Sequence, residues 1–225
     1  MRGLLCLGGP LLLAVATPAA AQSGQLPPPP PPVVSQSEPG YGPLRDLHQA
    51  LTIKQANFNR MRQDHIAKCD RIPPSDTARI EWCRGNVRTL GRERSAYDLA
   101  LREYNAKQAF YQGRTLYKRK NYDGAIAKYE QARSMLPAGS QFEGNIEDEL
   151  DLARAAKSLA ANNGEAARGF LQRIIDRGVI CTGWLTEQFQ TLSREFDAWI
   201  RRNREKVNKG LNHQYGRPGT CAIRG

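Results

Sequence analysis

The sequence predicts an all-α protein: a disulfide-stapled antiparallel helical hairpin, then helix–turn–helix repeats, then a C-terminal capping helix. Three observations carry this expectation. Apolar residues recur at spacings of three and four from residue 44 onward, the period of helices that bury one face. Breaks such as Pro73-Pro74 separate these stretches. Two cysteines stand where the ends of the first two helices would meet. With 225 residues, 40% of them hydrophobic, the chain has enough apolar side chains for a core, which excludes full disorder. Its mean hydropathy of -0.60 excludes a polytopic membrane protein.

Residues 1–21 read as a secretory signal peptide. Arg2 precedes an apolar stretch from Leu4 to Val15, and Ala19-Ala20-Ala21 precede the expected cleavage point. The apolar part is far short of the ~20 residues needed to cross a bilayer. The expected localisation is periplasmic or secreted, where cysteines form disulfides. Cys6 leaves with the signal. Cys69, Cys83, Cys181 and Cys221 remain, and spacing alone does not choose among their three pairings. Export also decides what the net charge of +11 can meet. Outside the cytoplasm the polyanions are membrane headgroups, acidic cell-wall polymers and acidic proteins, so nucleic acid is not an expected partner. A generally solvated basic surface accounts for the same charge.

Residues 22–43 form a proline-rich linker, with a run from Pro27 to Pro32 that favours polyproline II and spans ~19 Å. Its expected use is a spacer. Residues 44–108 make the hairpin, with a coiled-coil period. Leu44, Leu51, Phe58 and His65 recur every seven residues; beyond Pro73-Pro74, Ser75 or Asp76 can cap a second helix. That helix carries Ile80, Cys83, Val87, Leu90, Arg94, Tyr97, Leu101 and Tyr104 on one face. Facing residues of an antiparallel pair have a constant positional sum. Cys69 with Cys83, His65 with Val87, Phe58 with Arg94, Leu51 with Leu101 and Leu44 with Gln108 all give 152. Pairing Cys69 with Cys83 therefore brings both apolar seams together, and closing that loop contributes ~3 kcal/mol in the chain-entropy model.

In residues 109–177, Gly113, Leu116, Tyr117, Tyr122, Ala125, Tyr129, Ala132 and Pro137 alternate small, apolar and aromatic positions and end on a proline. This stretch resembles a tetratricopeptide repeat, although Ala109 stands at the position where that family has a tryptophan-type residue. A second, degenerate copy follows at an offset of 42 residues, with Ala155, Ala167, Leu171 and Ile174 at the small and apolar positions and Gly164 in the turn. The longer offset leaves an enlarged loop at 138–145, where Ser140 and Glu143 can form a capping box. The resemblance covers roughly residues 106–177. Residues 178–225 hold a last helix with Leu185, Phe189, Leu192, Phe196, Trp199 and Val207 on one face, then a tail. The tail is long enough to bring Cys221 back to Cys181, the pairing left once Cys69 and Cys83 are joined.

No catalytic constellation emerges. Ser95, Ser134, Ser158 and Ser193 lack a nucleophile-elbow glycine pattern. Glu143, Glu147, Asp148, Glu149 and Asp151 cluster at a helix start, where the dipole favours acids. His48, His65 and His213 are the only histidines; His65, Cys69 and Cys83 could be imagined around a metal but lack a fourth ligand, so a disulfide is the simpler reading. No cofactor and no metal are expected.

The resemblance implies a concave groove that binds extended peptides or helices. Phe110, Arg114, Tyr117 and Lys118 line up at i, i+4, i+7 and i+8 on its first helix, offering a carboxylate fork between aromatic contacts. The expected function is a non-catalytic interaction module of the cell envelope, an adaptor or scaffold with a protein or peptide partner. The alternative is a structural envelope protein that holds acidic cell-wall or membrane surfaces through Arg201, Arg202, Arg204, Lys206, Lys209, Arg217 and Arg224.

Overall fold

The computed structural model describes residues 24–38, 40–136, 139–140, 142–178 and 183–203. Among these the secondary structure is entirely helical, with no strand: α1 (Tyr41–Cys69), α2 (Thr77–Lys118), α3 (Tyr122–Met135), α4 (Glu143–Ala160), α5 (Gly164–Asp176) and α6 (Gly183–Arg202). No described helix is long and apolar enough to cross a membrane. The expected signal peptide, the Cys181–Cys221 pair, Pro137, Val207 and the basic tail beyond Asn203 lie outside the described residues. The chain divides into two compact units, one holding residues up to Pro28 with Gln55–Ser95, the other holding Pro29–Lys54 with Ala96 onward.

In the first unit Cys69 and Cys83 are joined by a disulfide, their Cα atoms 5.9 Å apart. Asp76 caps α2, its carboxylate accepting from the Arg79 N–H at 3.1 Å, as one of the two expected caps. Phe58 and Cys83 are buried at their expected seam positions. Val87 is not: it is 54% exposed, and Asn86 takes its place, 3.4 Å from His65 Nδ1. The seam has stepped by three residues from Cys83 instead of four, which puts a polar amide beside the imidazole.

In the second unit Leu44, Leu51, Tyr97 and Tyr104 are buried on the seam faces read from the sequence, with the His48 and Tyr104 rings 6.2 Å apart. The proline-rich segment is not a free spacer in either unit. In the first, the Leu26 N–H donates to Asn59 Oδ1 (3.1 Å) and Gln55 Nε2 donates to the Leu26 carbonyl (2.9 Å). In the second, the Tyr104 hydroxyl donates to the Pro30 carbonyl and the Val33 N–H donates to Gln108 Oε1, both at 2.9 Å. Leu26 and Val34 are buried. The reason is physical: polyproline II has no internal hydrogen bonds, so its peptide groups are open to side chains of neighbouring helices.

α2 passes unbroken through the expected boundary between Gln108 and Ala109. Its last turns, with α3 to α6, form the main core around Phe110, Tyr129, Ile146, Leu150, Leu152, Leu171, Leu192 and Phe196. Gly113 permits the close approach of α3: a Cβ there would lie 2.5 Å from the Tyr129 ring.

The 42-residue offset is repeated in the turns. Lys120 and Asn162 both adopt left-handed φ, 59° and 57°. After each, an asparagine caps the next helix, Asn121 accepting from the Gly124 N–H and Asn163 from the Ala166 N–H, both at 3.0 Å. Before each, the same pair of reversed bonds closes the preceding helix, Lys120 N–H to Tyr117 O with Asn121 N–H to Leu116 O, and Asn162 N–H to Leu159 O with Asn163 N–H to Ser158 O. The expected capping box does not form. Phe142 occupies the N-cap of α4 without a side-chain cap, because its ring packs on Phe110 at 4.7 Å and brings the helix start past Ser140.

Candidate partner-binding cleft

Of the four residues aligned as a partner-facing row, most turn inward. Phe110 and Tyr117 are buried, and Arg114 keeps only 19% of its side chain exposed. Lys118 alone is exposed. Arg114 already holds a carboxylate, that of Glu149 on α4, with Nε donating to both oxygens at 2.9 and 3.0 Å and an Nη2 donating as well. Its guanidinium lies over Phe110 (4.6 Å) and Trp184 (4.7 Å), and further from Tyr111 (5.5 Å). The fork-and-aromatic arrangement read from the sequence exists, but the chain fills it with its own acid.

The acids of α4 are held in two contrasting ways. Burial lifts the Glu149 carboxyl up to about 7, outweighing the hydrogen bonds and charge of Arg114. Burial also opposes the charge on Arg114, but Glu149 outweighs it and raises the guanidinium's pKa. For Asp151 burial works upward and loses: hydrogen bonds from Arg173 (2.8 Å) and Arg177 (2.7 Å) hold it below the ordinary carboxylate value. Asp148 receives Arg177 Nε at 2.7 Å. A carboxyl titrating near neutrality can move a proton. Glu149, however, is 1% exposed, and Arg114 occupies its oxygens.

An open concavity lies elsewhere among the described residues. A cleft of about 460 Å³ runs between the Lys120–Tyr122 turn, the C-terminal half of α4 and the outer part of α6. Ala156, Leu159 and Ala160 form its apolar floor, Tyr122 and Trp199 supply aromatic walls, and Lys120, Glu195 and Arg202 bring charge. The walls are held from behind. Tyr122 meets Tyr117 edge-on at 5.5 Å. Trp199 Nε1 donates to Asn162 Oδ1 at 2.7 Å, and its ring covers Gly164 so closely that a Cβ there would lie 2.3 Å away. Neither Lys120 nor Arg202 forms an ion pair among the described residues.

Sequence reasoning placed Trp199 on the apolar stripe of the last helix and did not see the cleft. The one signal was local: the turn before Gly164 repeats the turn at Tyr122 and leaves an aromatic-sized gap where the first turn carries its own ring. Lys120 and Glu195 gave no signal, because isolated surface charges carry no spacing. Comparison with protein-family models, curated proteins and solved structures finds no match to this chain.

Proposed function

We propose that the chain is an exported, non-catalytic interaction module: a small adaptor or scaffold in which an antiparallel hairpin stapled by Cys69–Cys83 precedes two tetratricopeptide-like helix–turn–helix units and a capping helix. The observation that carries this reading is the repeated turn, left-handed residue plus asparagine cap, at the 42-residue offset of the degenerate repeat. Repeats of this kind stack to bury one face and present a concave one. The leader-like residues 1–21 and the disulfide support export.

The binding surface is the cleft, and its partner is a peptide segment that carries an apolar side chain and a carboxylate. The apolar group sits between Tyr122 and Trp199; the carboxylate meets Lys120 and Arg202, whose two positive charges outnumber Glu195. Titrating the full chain with apolar peptides that end in a free or an amidated carboxyl tests this. The free acid is expected to bind at least tenfold tighter, with Trp199→Ala abolishing binding and Lys120→Ala weakening it in a salt-dependent way. Equal binding of both peptides, or no effect of Trp199→Ala, sinks the assignment.

The alternative, attachment to acidic cell-wall or membrane surfaces, draws on the net charge of +11 and on exposed Arg201 and Arg202 at the end of α6. Such attachment is screened within ~8–10 Å at physiological salt. Retention on anionic vesicles that vanishes between low and moderate salt, with no peptide binding, favours it over the cleft.

A further inference from the structure

Beside the cleft reading, and independent of it, stands the cluster at the disulfide. His65 and Cys69 are one turn apart on α1 and Cys83 faces them from α2; one ligand atom from each lies within 4.8 Å of the others. His65 Nδ1 is 3.4 Å from Cys69 Sγ. Asn86 Nδ2 lies 3.4 Å from the same nitrogen. A structural staple accounts for the two cysteines. It does not account for an imidazole nitrogen held within 4.8 Å of both sulfurs.

We propose that the Cys69–Cys83 disulfide is reversible, and that its reduced form, with His65, binds one thiophilic d10 cation of the Zn2+ or Cu+ kind. The geometry asks for little movement. Sulfurs bound to one tetrahedral ion at ~2.3 Å sit ~3.8 Å apart, and a sulfur and an imidazole nitrogen ~3.6 Å apart. The His65–Cys69 separation already meets the second requirement. Starting from a disulfide bond of ~2.05 Å, the first needs a side-chain rotation that opens the sulfurs by less than ~2 Å. Further contacts hold the two helix ends beside the disulfide: Asp76 caps α2, and the Arg79 guanidinium donates to the Lys68 carbonyl at the end of α1. His65 and Cys69 are half-buried, so reductant and ion can reach them. Three protein ligands satisfy Cu+, and for Zn2+ they leave the fourth position to water.

The chemistry balances with a dithiol as reductant. The dithiol gives two electrons and two protons to the Cys69–Cys83 bond and closes to its own disulfide. Each cysteine then releases its proton to solvent as the cation binds the thiolates.

The test uses the full chain, reduced with a dithiol, desalted without oxygen, and titrated with Zn2+ or with Cu+ against a chromophoric chelator. Trp82, stacked on His65 at 6.5 Å, reports binding locally through its emission. The reduced chain is expected to bind one ion that shifts Trp82 emission, and the oxidised chain none. Cys83→Ser should weaken this ion at least a hundredfold, and His65→Ala at least tenfold with the helical content unchanged. Cys181 and Cys221 are common to all these chains, so the variants isolate the cluster. Binding of one cation and not the other names which of the two the site takes. Failure of both cations to shift Trp82, or Cys83→Ser and His65→Ala chains that bind as the parent does, overturns the proposal.

Discussion

Replacing Arg114 by alanine removes the one guanidinium that holds Glu149, and the cost can be worked from the surroundings. The pair is linked by contacts at 2.9 and 3.0 Å plus a third from Nη2, and Glu149 is 1% exposed. Breaking a buried pair from one side typically costs ~3–5 kcal/mol, because an uncompensated carboxylate is left in place. Contacts with Phe110 and Trp184 add roughly 0.5–1 kcal/mol each when lost. Glu149 escapes part of the cost by taking up a proton, which makes the effect depend on pH. In the parent chain its carboxyl is raised to about 7, so the stability held by the protonated form is lost as pH climbs from ~4.5 to ~7, and this group is then spent. In Arg114→Ala the folded value rises further. Above pH 7 the folded variant still binds the extra proton, and its stability keeps falling by up to ~1.4 kcal/mol per pH unit while the parent's contribution from Glu149 is level. Urea unfolding at pH 6, 7 and 8.5 measures both quantities, with Arg202→Ala as an exposed control expected to stay within ~0.5 kcal/mol of the parent. Arg114→Met combined with Glu149→Leu should recover most of the loss. If Arg114→Ala costs no more than Arg202→Ala, or its pH curve runs parallel to the parent's above pH 7, the account of this pair is wrong.

Gly113→Ala is expected to cost ~1–3 kcal/mol, since the new methyl meets the fully buried Tyr129 ring, whereas Gly164→Ala should cost less because Trp199 is half-exposed and can yield. Thermal unfolding of both variants checks the order. Asn121→Ala and Asn163→Ala should each lose about 1 kcal/mol, the worth of a helix cap, and circular dichroism melts would show two similar shifts. Tyr104→Phe, which removes the donor to the Pro30 carbonyl, should cost ~1 kcal/mol and speed proteolysis between residues 24 and 38, read by peptide mapping. Reducing the disulfide or making Cys69→Ser should lower stability by ~3 kcal/mol in chemical denaturation.

What the sequence made legible follows from which forces are periodic. Helix positions, the Cys69–Cys83 pair and the burial of Leu44, Leu51, Phe58, Tyr97 and Tyr104 were readable because burial repeats at three- and four-residue spacings. The 42-residue offset was readable from Gly164 and the small residues, and the two asparagine-capped turns follow it. Val87 was misplaced because a period only states an average; a single polar contact, Asn86 to His65, shifted the seam locally. The row from Phe110 to Lys118 was correctly aligned on one helix, yet alignment does not say what lies opposite. Glu149 stands 35 residues away, and its acid cluster had been assigned to the helix dipole. The cleft was invisible for the same reason, since its walls come from a turn, a helix end and α6.

Arg173 and Arg177 meet the α4 acids on one flank of that helix, both donating to Asp151. The carboxylates of Asp148, Glu149 and Asp151 are at most 3% exposed, while the side chains of Arg114, Arg177 and Arg173 keep 19%, 29% and 49%. Each pair is therefore a small dipole with its positive end toward solvent. Far from the surface such pairs cancel and only the net charge is felt. Within a Debye length they do not cancel, and an anion approaching the flank that carries Arg173 and Arg177 meets two cationic heads whose counter-charges are screened from it by protein. On a dense anionic matrix, where contact is close, this face should behave as more basic than its composition, and in dilute electrophoresis it should not.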